Sequence, residues 1–95
     1  MSDYIAMTAV IEARTGCAEA LEKQLPEFEK VTNDEPGCVE FRFFKAAEKP
    51  NQFILWEIFT SQESLATHMN ADYTKDLFAL DLIQSTQVIK HSKVI

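Results

Sequence analysis

Hydrophobic positions along the chain change their period several times, and each change marks a predicted element. Residues 4–13 form a short apolar run rich in β-branched side chains without a helical stripe, which predicts a strand. Residues 17–33 have apolar positions at helical spacing with charged residues between them, which predicts an amphipathic helix. Its predicted buried stripe consists of Leu21, Leu25, Phe28 and Thr32. Pro26 lies inside this pattern and predicts a kink or a break, because it removes one backbone donor.

Two further strands are predicted after the Pro-Gly turn that ends this helix. The segment Cys38–Lys45 alternates apolar and charged residues, as a half-buried strand does. One predicted face of it carries Val39, Phe41 and Phe43. The segment Gln52–Phe59 is apolar at almost every position, so we expect both faces of this strand to be covered.

A second helical segment is predicted to begin at Thr60 and Glu63, which have the spacing of a capping box. A break near residues 70–72 separates it from another helical stretch that ends near Leu80, and residues 84–94 close the chain as a strand. The resulting order, β-α-β-β-α-β with a split second helix, accounts for the whole chain as one domain. This order predicts an α+β, ferredoxin-like fold with a four-stranded antiparallel sheet.

The predicted helices cover only one face of the predicted sheet. Because the strand Gln52–Phe59 is apolar on both faces, the second face needs a cover as well. A second copy of the chain is the simplest cover, so we expect an isologous, two-fold symmetric homodimer.

Charge and composition exclude several classes of partner. The net charge is −6 and Lys and Arg do not cluster, so neither nucleic acid nor an anionic membrane surface is an expected partner. The chain begins without a basic leader segment, and no apolar run reaches the ~20 residues of a membrane span, so we expect a cytoplasmic protein. In that compartment Cys17 and Cys38 are expected to be reduced thiols.

Several segments resemble the antibiotic biosynthesis monooxygenase family. Glu35-Pro36-Gly37-Cys38, followed by Phe41, resembles the E-P-G-C-x-x-Y/F segment that opens the second strand of that family. Residues 53–57 (FILWE) resemble its third-strand segment, and residues 63–68, which end in His68, resemble its e-a-f-x-x-H helix. These segments span nearly the whole chain at consistent spacing.

The resemblance implies a dimeric α+β barrel with a pocket between the sheet and the helices of each subunit. Members of the family include oxygenases that use O2 on aromatic or quinol-like substrates without metal or flavin, and others isomerise or degrade small signalling molecules. Haem-degrading relatives carry an Asn on the first strand, and residues 4–13 have none. We therefore expect a cofactor-independent monooxygenase. A binding protein or isomerase with the same pocket, and a purely structural dimer, are the alternatives.

His68 is the candidate general base, at the border of the apolar stripe of its helix. An imidazole exchanges protons near neutral pH, and it would take the proton of a phenolic or quinol hydroxyl. The anion formed has the electron density that a direct reaction with O2 needs. The alternative is a structural histidine that hydrogen-bonds a strand residue.

Glu57 is the second candidate catalytic residue, because it is a carboxylate within an otherwise apolar strand. A buried charge requires a partner. The candidate partners are His68, which Glu57 would orient, Arg42 on the neighbouring strand, and Lys90. A structural ion pair is the alternative to a role in catalysis.

The candidate substrate contacts are Phe41, Phe43, Leu65 and Tyr73. For the two phenylalanines the alternative is the core or an interface, and for Tyr73 it is simple packing. Trp56 points to the face opposite Glu57, because neighbours in a strand alternate, and we assign it to the core or the dimer interface. No metal-ligand spacing and no glycine-rich phosphate loop occur, so no metal or other cofactor is expected.

Overall fold

The computed structural model describes residues 4–94, which form seven elements in the predicted order with a split second helix. The strands are β1 (Ile5–Ala13), β2 (Cys38–Lys45), β3 (Gln52–Phe59) and β4 (Ile83–His91). The helices are α1 (Ala18–Asn33), α2 (Gln62–Asn70) and α3 (Asp72–Ala79). The α+β, ferredoxin-like fold is thereby confirmed. Residues 1–3, on which the expected absence of a leader segment depends, lie outside the described range.

The four strands form one antiparallel sheet in the order β2-β3-β1-β4. Alternate side chains of the two central strands are buried against the helices, beginning with Met7 on β1 and Phe53 on β3. We call this side of the sheet the inner face. Helix α1 packs there through the four stripe residues predicted from its period, all of which are buried.

The break predicted at Pro26 and the cap predicted for the second helix are wrong. Helix α1 runs without interruption through Pro26, because the backbone carbonyl freed by the missing N–H belongs to Glu22, and both residues are exposed to water. Helix α2 is capped by Ser61 and Ser64 instead of Thr60 and Glu63. The Ser61 hydroxyl accepts from the Ser64 N–H, and the Ser64 hydroxyl accepts from the Ser61 N–H.

One predicted strand face is also corrected. The pairing of β2 with β3 shifts register between Cys38 and Glu40, so Val39 is an extra residue in a β-bulge. Val39 is 48% exposed and does not share the buried face of Phe41 and Phe43.

The outer face of the sheet is not covered by the helices. It exposes large apolar side chains from β2, β3 and β4, namely Phe44, Trp56 and Ile89. None of the helices in the described part of the chain combines the length and the apolar composition that crossing a bilayer requires.

Candidate functional site

A cavity of about 110 Å³ lies between the inner face of the sheet and the three helices. Side chains from all seven elements form its wall, and most of them are aliphatic or aromatic. The polar side chains on the wall are Glu57, His68, Thr74 and Thr86. An apolar cavity of comparable size holds a molecule such as benzene, so this one suits a small aromatic ring.

His68 lies in the last turn of α2 and is 3% exposed. Its ring packs against Phe41 and Phe59 with centroid distances of 5.2 Å to each. Its Nδ1 atom lies 2.9 Å from Oε2 of Glu35. Because a carboxylate oxygen accepts, this hydrogen bond places a proton on Nδ1, so in the neutral ring Nε2 carries the lone pair.

Glu35 lies on the loop between α1 and β2, and its Oε2 atom also accepts from the Tyr73 hydroxyl. Burial, together with this hydrogen bond and the charge of Glu35, raises the pKa of the Tyr73 phenol, which therefore stays a donor. Glu35, His68 and Tyr73 thus form a hydrogen-bonded triad. The triad joins the loop, α2 and α3.

Gly37 allows the loop to pass directly beneath α2. A Cβ atom at this position would lie 2.1 Å from the Cβ atom of Ser64. The Gly37 carbonyl also accepts from the Thr60 N–H at 2.9 Å, which fixes the start of α2 against the loop. This close approach brings Glu35 within reach of His68.

Glu57 is 7% exposed and faces the cavity from β3, but it does not orient His68 as expected. His68 pairs with Glu35, and Arg42 lies 3.4 Å from Glu40. Lys90, the third expected partner, is exposed on β4 and forms no ion pair with Glu57. Glu57 therefore has none of the three expected partners. Burial alone raises the pKa of its carboxyl to about 7.

The four predicted substrate contacts divide into two groups. Phe41 and Phe43 line the cavity. Leu65 packs against the hydrophobic core without reaching the cavity wall, and Tyr73 lines a separate groove between α1 and α3. Trp56 lies on the outer face, opposite Glu57, as the alternation of strand neighbours predicted.

Sequence reasoning missed Glu35 and Thr74 as site residues. In the sequence Glu35 directly precedes the Pro-Gly turn that ends the first helix, and its role depends on a contact across 33 residues of chain, for which no local signal exists. Thr74 is 1% exposed on α3, and its hydroxyl has no hydrogen-bond partner in the described part of the chain. The signal in the sequence for Thr74 was its position between Tyr73 and Leu77, on the buried side of a short helix.

Cys38 is not an activated thiol. Burial, and to a lesser extent the charge of Glu35, raises the pKa of the Cys38 thiol to about 11. Within residues 4–94, no group of three or more His, Cys, Asp or Glu side chains is arranged to hold a metal ion.

Comparison with known proteins places this chain in a recognised family. The sequence profile of the family described as antibiotic biosynthesis monooxygenase matches residues 4–80. The chain is also similar to the Uncharacterized protein YjcS of Bacillus subtilis (strain 168), with 26% identity over 68 residues. That match covers 72% of this chain and 65% of the relative, so the chain spans slightly less than two thirds of its length.

Solved structures with the same fold cover almost the entire chain. PA3566 from Pseudomonas aeruginosa superimposes with a TM-score of 0.91 at 23% identity, over 100% of this chain and 98% of that protein. Rv0793 from Mycobacterium tuberculosis superimposes with a TM-score of 0.85 at 20% identity, over 98% and 97% of the two chains. At these identities the likeness establishes the fold.

Proposed function

The chain belongs to the antibiotic biosynthesis monooxygenase family, and on that premise we propose that it is a cofactor-independent monooxygenase of a small aromatic, quinol-like substrate. One observation carries the proposal. His68 lines an apolar cavity of ring size, while the Glu35 carboxylate holds its Nδ1 atom at 2.9 Å. A buried carboxylate in this position fixes the tautomer of the imidazole and stabilises the imidazolium that forms when Nε2 accepts a proton.

The proposed reaction begins when Nε2 of His68 takes the hydroxyl proton of a hydroquinone. The anion transfers one electron to O2, and the resulting semiquinone and superoxide combine at a ring carbon. The hydroperoxide then loses water, so that hydroquinone and O2 give hydroxyquinone and water. Four electrons leave the substrate and reduce both oxygen atoms. The apolar wall favours the approach of O2 and of an uncharged ring.

Oxygen uptake with a panel of substituted hydroquinones tests this proposal. We expect His68→Gln to lower uptake about 10²-fold, because a general base of this kind contributes at least that factor. The matched control is His91→Gln, since His91 lies on the outer face and hydrogen-bonds Thr8 at 2.9 Å. Uptake that survives in His68→Gln, or that falls equally in His91→Gln, would contradict the assignment of His68 as the base.

An isomerase is the second candidate function, and the position of Glu57 favours it. Glu57 and His68 are two proton-exchanging groups on the wall of one cavity, and an isomerase needs one group to remove a proton and another to return one. Conversion of a substrate under argon, at the same rate as in air, would identify this reaction. Strict dependence of turnover on O2 would support the oxygenase.

We also propose a homodimer built on the outer face of the sheet. Trp56 and Ile89 are exposed there by 40% and 52%, and Val10, Ile54 and Ile58 lie on the same side. An antiparallel sheet that faces water normally carries polar residues on that side. An isologous contact with a second copy would remove this apolar surface from water.

A further inference from the structure

Two polar groups of the cavity have no partner in the part of the chain that the structure describes. Glu57 faces the cavity from β3 and is 7% exposed, and its pKa is displaced by burial alone. Thr74 lines the cavity from α3 and is almost fully buried, and its hydroxyl makes no hydrogen bond with residues 4–94. Because burial of an unpaired polar group is costly, two such groups on one wall indicate a ligand that supplies the missing bonds.

The charge of the cavity restricts this ligand. No Lys or Arg is among the described side chains of the wall, whereas Glu57 is on it and Glu35 lies directly behind His68. An anionic ligand would therefore be repelled. With a pKa of about 7, the Glu57 carboxyl keeps its proton in slightly acidic solution and donates a hydrogen bond, as the Thr74 hydroxyl does. Two neutral donors fit an uncharged oxygen acceptor.

We propose that Glu57 and Thr74 form a second recognition site in the cavity, which binds an uncharged carbonyl oxygen of the ligand. The inference deepens the proposed function and rests on it in one respect: the carbonyl is a ring substituent of the hydroquinone whose hydroxyl His68 deprotonates. Glu57 is then a ligand-binding acid rather than the residue that orients the base. The site selects neutral aromatic carbonyl compounds over anionic ones and over plain hydrocarbons.

Among the described titratable groups around this site, Glu57 is the one whose protonation controls carbonyl binding. From α2 it is faced by His68, whose Nδ1 atom is already held by Glu35. Cys38 on β2 has its pKa raised to about 11. Lys90, on the inner face of β4, is exposed and two strands away. The buried stripe of α1 has no titratable side chain, and on α3 Tyr73 is bound to Glu35.

The test uses acetophenone as the probe and ethylbenzene as its matched control, since the two differ only in the replacement of the carbonyl by a methylene. Neither compound carries a hydroxyl for His68 to deprotonate, so binding is measured without turnover. NMR titrations of the native protein are run at about pH 6 and at about pH 8.5. We expect acetophenone affinity to fall at least fivefold at the higher pH, because the ionised Glu57 no longer donates. Ethylbenzene affinity should not change.

Variants identify the two donors. Glu57→Gln should keep acetophenone affinity and lose its pH dependence, because the amide N–H still donates. Thr74→Val should weaken acetophenone roughly threefold to tenfold, the value of one neutral hydrogen bond, and leave ethylbenzene unchanged. Thr32→Val is the matched control, because the Thr32 hydroxyl is equally buried and unpaired among the described residues but lies outside the cavity wall. Ethylbenzene binding in each variant shows that the fold and the cavity are intact.

Two results would overturn the inference. One is an acetophenone affinity that is as independent of pH as that of ethylbenzene. The other is an equal effect of Thr74→Val and Thr32→Val. Failure of the proposed function is distinguishable from both results. In that case the protein would consume no O2 with any hydroquinone but would still show the expected acetophenone titrations. It would then have the recognition site without the oxygenase reaction.

Discussion

Glu35 and His68 are separated by 33 residues of chain, yet Oε2 of the first lies 2.9 Å from Nδ1 of the second. The contact depends on Gly37, which lets the loop after α1 lie against the start of α2. The side chains of the pair are 13% and 4% exposed, so water screens their interaction only weakly. Glu35 is therefore the positioning residue of the proposed base.

Replacement of Glu35 tests this positioning role. In Glu35→Gln the side chain keeps its shape but loses the charge that stabilises a protonated His68. We expect kcat for hydroquinone oxidation to fall about 10²-fold with KM little changed, since the substrate cavity itself is intact. The control is Asp34→Asn, because Asp34 is the exposed neighbour on the same loop. A rise in KM with unchanged kcat would instead place Glu35 in substrate binding.

Tyr73 contributes to the stability of the triad rather than to the cavity wall. Tyr73→Phe removes one of the two donors to the Glu35 carboxylate and leaves a buried charge less well paired. We expect the free energy of unfolding, measured with urea, to fall by about 2 kcal/mol. Tyr4→Phe is the control, because Tyr4 is 43% exposed and its hydroxyl has access to water. Equal stability of the two variants would show that the Tyr73 hydrogen bond is energetically neutral.

Most of the fold was predictable because it depends on local periodicity. The stripe of α1 follows directly from helical geometry and matches the observed burial. The break predicted at Pro26 and the face predicted for Val39 differ from the structure for physical reasons that lie outside such patterns. The carbonyl that Pro26 leaves free belongs to Glu22, an exposed residue, and a β-bulge changes the phase of β2 after its first residue.

The site was only half predictable. His68 and Glu57 stood out because each is polar within an apolar segment, and the structure brings both to one cavity. Which carboxylate reaches the imidazole depends on how a loop crosses a helix, and sequence periodicity carries no information about that crossing. Glu35 lies in a turn, where an acidic residue is common and carries no distinguishing signal.

Glu57 should make the stability of the protein depend on pH. Its pKa is raised from an ordinary value of 4.5 to about 7, so the folded state holds this proton after the unfolded state has released it. Stability therefore falls as pH rises through that interval, and the penalty is complete above about pH 7. By linkage the loss amounts to about 3 kcal/mol.

In Glu57→Gln this loss should disappear, so the variant gains about 3 kcal/mol over the native protein between about pH 4 and pH 8. Urea denaturation across that range measures the difference. Glu27→Gln is the control, because Glu27 is exposed on α1. Parallel stability curves for the native protein and Glu57→Gln would show that Glu57 finds a charge partner in solution.

Gly37 should tolerate no side chain, because a Cβ atom there would overlap Ser64. We expect Gly37→Ala to destabilise the fold by about 3 kcal/mol and to lower activity by moving the loop that carries Glu35. Gly16→Ala is the control. Gly16 has a φ of +81° but open space around it, so only backbone strain of about 1 kcal/mol is expected.

A second substitution tests whether steric overlap with Ser64 causes the destabilisation expected of Gly37→Ala. The substitution Ser64→Gly removes the atoms that an added Cβ would meet, although it also removes part of the α2 cap. In a double-mutant cycle, Gly37→Ala should be less harmful in the Ser64→Gly background than alone. Additive effects would locate the damage in the backbone of the loop instead.

The outer face supplies the prediction about assembly. In a two-fold symmetric interface each substitution occurs twice, so Trp56→Glu would remove two large apolar side chains and bring in two like charges. We expect the dissociation constant of the dimer to rise at least 10³-fold, equivalent to about 4 kcal/mol. Sedimentation velocity over a concentration series measures it. Phe78→Glu is the matched control, because Phe78 is 50% exposed but lines the cavity on the inner side of the sheet. A native protein that sediments as a monomer, or a Trp56→Glu variant that stays dimeric, would show that the outer face is not the interface.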